Sequence, residues 1–240
     1  MYNIIKKRII KEVVNMAQKL PIVTEQKFMK NKKINYNNYA ILILFSKFQD
    51  IHENTEEGFE GCYDSDRYIY EDRGIIKNKE EIEEMSNTKI ETFIKTSRKI
   101  AKITNGEMVG VRRLKKSGKV VYDLYTSTHK FVTIEDDILR VMCNSLSSNS
   151  IKIYCFLKWK LREEDKIITR KEIAENIGLS SKSHKNLQMI SDCTKVLEEL
   201  HLIKKDRIKL PSVDGNEYDY RTRYELVDYE DWRKIWYSKK

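Results

Sequence analysis

The sequence predicts an α+β protein, mainly α with small antiparallel β wings, in which two successive stretches repeat one order of elements. Three observations predict it. Within Ile167–Tyr224, apolar residues fall at helical spacing twice, at Ile173, Ala174 and Ile177, then at Leu187, Ile190, Cys193, Val196, Leu197 and Leu200. Gly178 between them supplies the left-handed residue that ends the first helix, and Leu179 plugs the turn. A strand opening at Leu202-Ile203 and a return strand over Tyr218–Val227 then flank a polar loop at Asp214-Gly215-Asn216. Helix, turn, helix and hairpin in that order read as a winged helix, whose second helix suits a major groove and whose hairpin suits the flanking backbone. A similar order recurs over Ile75–Tyr125, so the expected architecture is two winged helix-turn-helix domains in tandem.

Composition is compatible with this. The chain has 240 residues, 40% hydrophobic and 35% charged, with a net charge of +9. That is enough for two modest cores under a heavily charged surface. A basic balance favours a polyanionic partner. The chain is also rich in Lys, Ile and Asn, as an AT-rich coding sequence would make it, so the placement of charge says more than its total. Cys62, Cys143, Cys155 and Cys193 form no C-x-x-C pair, and the histidines supply no matching ligand set, so neither a metal nor any other cofactor is expected. The first residues alternate basic and apolar without a long apolar core, and the apolar run Tyr39–Phe45 is too short for a bilayer. A cytoplasmic protein without membrane contact is expected.

Taken in order, residues 1–34 read as a basic amphipathic helix and a linker. Ile4, Ile5, Ile9, Ile10, Val13, Val14 and Ala17 form an apolar stripe beside Lys6, Lys7, Arg8 and Lys11, and Pro21 is expected to end the helix. Residues 35–127 read as the first winged-helix domain. It begins with a buried helix over Tyr36–Phe48 and carries an acidic insertion near residues 50–73. From Asp50 to Glu84 there are thirteen acidic residues against four basic ones, so that stretch cannot lie along phosphate over its whole length. A short helix capped by Asn78, a longer one with Ile90, Phe93, Ile94, Ile100 and Ala101 inward, and strands over Met108–Leu114 and Lys119–Tyr125 follow, with Gly118 suited to the turn. Residues 128–240 read as the second domain, opening with a strand at Phe131-Val132-Thr133-Ile134 and closing with a helix whose Trp232, Ile235 and Trp236 are expected to pack rather than to stack on bases.

Positive charge falls where a winged helix meets DNA. Between Thr88 and Lys119 there are ten basic residues, opposed only by Glu91 and Glu107. The expected DNA contacts here are Lys89, Thr92, Lys95, Thr96 and Lys99 on the long helix and Arg112, Arg113, Lys115 and Lys116 on the hairpin. In the second domain, Thr169, Arg170 and Lys171 suit phosphate at a helix start. Ser181, Lys182, His184, Lys185, Asn186 and Gln188 lie where a recognition helix meets base edges, and Arg221 and Arg223 could reach the backbone. Asn and Gln can pair bidentately with adenine, and Lys can reach guanine acceptors.

The runs Phe131–Ile134, Ile151-Lys152-Ile153-Tyr154-Cys155-Phe156-Leu157-Lys158, Ile173-Ala174-Glu175-Asn176-Ile177-Gly178-Leu179-Ser180 and Leu197-Glu198-Glu199-Leu200-His201-Leu202-Ile203 resemble the helix-turn-helix domains of replication initiators of plasmids and phages in low-GC Gram-positive bacteria, including the winged helices of DnaD-like primosome proteins. The likeness covers roughly the second half of the chain. It implies a double-stranded DNA partner at repeated origin sites, with homodimers and replication proteins as further partners.

An enzyme is not expected. The chain has no Walker loop, no G-x-G-x-x-G and no H-x-H pair of the kind rolling-circle nucleases use. The expected function is sequence-specific DNA binding, as a replication initiator. The alternatives are a winged-helix transcription regulator, or an adaptor that uses these domains for protein contacts alone.

Overall fold

The computed structural model describes residues 18–48, 67–126, 128–162, 167–211 and 218–238. The basic stretch of residues 1–17, most of the acidic insertion and the loop at Asp214-Gly215-Asn216 lie outside them. The protein is α+β with three small antiparallel sheets. In chain order the elements are β1 (Lys19–Val23), α1 (Gln26–Met29), α2 (Tyr36–Leu44), β2 (Lys47–Phe48), β3 (Arg67–Tyr70), α3 (Lys79–Ser86), α4 (Ile90–Ile103), β4 (Val109–Arg113) and β5 (Val120–Leu124). Then come β6 (Phe131–Glu135), α5 (Asp136–Ser145), α6 (Ser148–Lys160), α7 (Arg170–Asn176), α8 (His184–Glu199), β7 (Ile203–Pro211), β8 (Tyr218–Leu226) and α9 (Tyr229–Ser238). Among the described residues no helix is long and apolar enough to cross a membrane.

The first surprise is β1. A helix was expected through Leu20, with Pro21 as its breaker, but Lys19–Val23 is a strand paired antiparallel with β6. A two-stranded sheet consists only of edge strands, and an edge strand is where proline is tolerated. Leu20, Ile22, Val132 and Ile134 are all buried on its inner side. The register is symmetrical about the Pro21–Thr133 pair, with Leu20 opposite Ile134 and Ile22 opposite Val132. The offset that carries Pro21 onto Thr133 also carries Asn35 onto Ser147, the N-caps of α2 and α6. Asn35 accepts from the amides of Asn37 and Asn38, and Ser147 from that of Ser150. Each cap satisfies amides that the first helical turn leaves without partners.

The two halves share one core. A single apolar cluster runs from Leu20 through Ile41, Phe93 and Tyr122 to Ile153, Leu197 and Trp232. Packing crosses the sequence boundaries at residues 34 and 127. Tyr36 N–H donates to Ser148 Oγ at 2.8 Å, and Thr24 N–H to Lys130 O at 2.7 Å. Lys152, only 2% exposed, donates to Asn31 O at 2.9 Å with the Tyr36 ring 5.1 Å away, and burial brings its ammonium down to about 8. The stretch read as a linker thus lies in the seam, with Phe28 and Met29 of α1 buried there.

Each half then repeats two helices and a hairpin. In the first, β3 pairs with β5, the second strand of the β4–β5 hairpin. In the second, Ile167 makes an antiparallel bridge to Arg223 on β8, the second strand of the β7–β8 ribbon. Both short helices end in a left-handed residue, Asn87 after α3 and Gly178 after α7. Gly178 is needed twice over. Its φ is +79°, and a Cβ there would sit 2.0 Å from Lys30 O. Thr169 caps α7, accepting from Glu172 N–H at 3.1 Å. Asn78 does not cap α3: its side chain donates instead to Gly74 O at 2.6 Å, in the tight turns that join β3 to that helix.

Candidate nucleic-acid interface

Helix α4 buries Ile90, Phe93, Ser97, Ile100 and Ala101 and turns its other side outward. It is fixed to α2 by a buried amide, as Asn38 Nδ2 donates to Phe93 O at 3.1 Å and to Ser97 Oγ at 3.0 Å. On the outer side Lys89, Thr92, Lys95, Lys99 and Lys102 are exposed and Thr96 is half-buried. The hairpin adds exposed Arg113, Lys115 and Lys116, closed by Leu114 N–H on Lys119 O at 2.8 Å with Gly118 at φ +68°. Lys89, Lys95, Lys99, Lys102, Arg113 and Lys116 enter no ion pair among the described residues. Glu91 is the one acid exposed on α4, and an excess of like charge over acids raises the local potential that a polyanion meets.

Two arginines of this half have other duties. Arg112 was expected to contact phosphate. Its guanidinium instead holds Asp123 through two hydrogen bonds, at 2.6 and 3.1 Å, with the two side chains 17% and 3% exposed. A pair this dry ties β4 to β5, and drawing Arg112 outward would take the charged partner from a buried carboxylate. Arg98 is held by both oxygens of Glu71, at 2.8 and 3.0 Å, and Tyr122 Oη donates to the same carboxylate at 2.6 Å. Desolvation, then this bond, pushes the Tyr122 phenol well above its ordinary range. Sequence spacing could not separate Arg112 from Arg113, because alternation along a strand says which sides they take and not which side holds an acid.

In the second half α8 buries Ile190, Cys193, Thr194 and Leu197. Ser183 caps it, accepting from Asn186 N–H at 3.4 Å. His184, Lys185 and Gln188 are exposed along its first turns, and Lys182 is exposed in the turn before it beside half-buried Ser181. Asn186 is half-buried, and its Nδ2 donates to Ser180 O at 3.1 Å. Gln188 Nε2 donates to Asp192 Oδ1 at 2.9 Å. Thr169 and Lys171 are exposed at the start of α7, and Arg170 donates to Ser191 Oγ at 3.0 Å, linking α7 to α8. On the ribbon, Lys205 pairs with Glu198 at 2.9 Å and Arg223 with Asp206 at 3.0 Å, while Arg221 is exposed. Of the predicted residues of this half, Arg170, Asn186, Gln188 and Arg223 are already engaged with neighbouring groups.

Trp232 of α9 does not extend this surface. Trp232 is buried, stacks on Tyr229 and Trp236 with ring centroids 6.2 and 5.5 Å apart, and donates from Nε1 to Leu200 O at 3.1 Å. Among the described residues no group of His, Cys, Asp and Glu has the arrangement of a metal site. Compared with protein-family models, with curated proteins and with solved structures, the chain gives no match.

Proposed function

We propose that the protein is a sequence-specific double-stranded DNA-binding protein built from two winged-helix units. In this reading α3, α4 and the β4–β5 hairpin form one unit, and α7, α8 and the β7–β8 ribbon the other. The observation that carries it is the run of exposed cations along α4 and its hairpin, of which Lys89, Lys95, Lys99, Lys102, Arg113 and Lys116 enter no ion pair among the described residues. Its counterpart is the outer face of α8, which presents His184, Lys185 and Gln188 near the helix start. Cations without acid partners keep condensed counterions off phosphate, and short-range donors and acceptors discriminate base edges.

The biological role we propose is initiation of replication at repeated origin sites, in which homodimers and replication proteins would be further partners. It rests on the likeness of the second half to plasmid and phage initiators. The test is selection of bound duplexes from a randomised pool by the full chain, followed by footprinting of the enriched site. A discrete protected site is the expected result. Binding to a replication protein with no duplex enriched would overturn the DNA-binding reading in favour of an adaptor.

A further inference from the structure

We infer that Asp192 is a positioning residue that holds Gln188 ready to read one adenine in the bound duplex. The inference rests on the DNA-binding reading above and narrows it to one side-chain pair. Gln188 and Asp192 stand one turn apart on the exposed face of α8, joined by the 2.9 Å hydrogen bond from Gln188 Nε2 to Asp192 Oδ1. An ionised carboxylate only accepts, so the bond also decides which end of the amide faces Asp192. One N–H and the Oε1 oxygen of Gln188 remain for a base edge. A donor beside an acceptor is the complement of adenine N7 and N6 in the major groove.

Two further features single out this pair. Asn186, the other amide near the helix start, is half-buried and donates to Ser180 O, so it serves the turn. Asp192 is the first acidic residue of α8, on the face that would meet phosphates. A carboxylate there repels DNA, and holding a reading side chain gives it a role. A glutamine already ordered by a neighbour also loses less rotamer freedom on binding than a free one.

The experiment uses duplexes enriched from a randomised pool, each enriched adenine then replaced by 7-deazaadenine, which lacks the N7 acceptor. Wild-type protein should lose roughly tenfold in affinity at one such adenine. Gln188→Ala should lose the preference there and keep it at the other positions. Asp192→Ala and Asp192→Asn remove the same negative charge, so both should bind random duplex more tightly. Only Asp192→Ala should become insensitive to 7-deazaadenine, within about twofold, because the amide of Asp192→Asn can still accept from Gln188. Equal behaviour of those two variants, or undiminished sensitivity in Asp192→Ala, overturns the inference. So does a wild-type protein insensitive to 7-deazaadenine at every enriched adenine, a readout that needs no variant to fold. In either case an enriched sequence leaves DNA binding standing, whereas a protein that enriches no duplex loses both.

Discussion

The two helix–helix–hairpin units are alike in connection and unlike in how their charges are partnered. On α4 and its hairpin, Lys95, Lys99, Arg113 and Lys116 enter no ion pair among the described residues. On α8 and its ribbon, Lys195 pairs with Glu199, Lys205 with Glu198 and Arg223 with Asp206, while exposed Lys185 and Lys204 enter no ion pair among the described residues. Unpaired lysines are hydrated, movable point charges, suited to any phosphate backbone. Paired side chains are already oriented, which suits directional contacts and weakens long-range attraction. On the proposed function the first unit supplies most of the sequence-independent affinity and the second most of the discrimination.

Breaking the scaffold that both units share should have the largest effect. Gly178→Ala puts a Cβ against Lys30 O at a left-handed φ, and should destabilise by roughly 4 kcal/mol or more in chemical denaturation. Its counterpart Asn87 has φ 49° with no such demand, so Asn87→Gly should stay within about 1 kcal/mol of wild type. Neighbouring arginines sharpen the contrast within the first unit. Arg112→Ala takes the charged partner from the buried Asp123 carboxylate and should cost about 3 kcal/mol of stability. Arg113→Ala should leave the melting temperature nearly unchanged and weaken duplex binding alone.

The smallest effect concerns the seam. Lys152 titrates near 8 in the fold, below its ordinary value of 10.5. Between those values the unfolded chain holds more protons than the folded one, so stability rises with pH, by about 2 kcal/mol from pH 8 to pH 10. Above that window the buried phenols of Tyr36 and Tyr122, which burial holds protonated, act in the opposite sense. Lys152→Met should remove the rise while leaving stability at pH 7 within about 1 kcal/mol, as unfolding curves at a series of pH values would show.

Local pattern carried much of this structure. Helices at Tyr36, Lys79, Ile90, Arg170 and His184 were legible because apolar spacing and the turn at Gly178 act within a few residues. The β1–β6 sheet was not, since Lys19–Val23 is a strand only because Phe131–Glu135 lies beside it. A period-2 pattern interrupted by Pro21 gives no local sign of that partner. The surface was legible in outline only. Sequence placed Arg112, Arg113, Asn186 and Gln188 on the right elements, but it could not say that Arg112 meets Asp123 or that Asn186 meets Ser180. Gln188 and Asp192 carried a readable sign in their four-residue spacing, which passes unnoticed when acids are counted only against phosphate.

The central claim is that α4 and its hairpin draw the protein to duplex DNA through phosphate. Its most direct test is the salt dependence of binding to a random duplex, measured by fluorescence anisotropy for wild type and for the fourfold variant Lys95→Gln, Lys99→Gln, Arg113→Gln and Lys116→Gln. Loss of about 0.9 from the slope of log K against log salt for each phosphate contact predicts a slope flatter by roughly three to four, with affinity down on the order of a hundredfold. A variant that folds as wild type and binds with an unchanged slope would contradict the account.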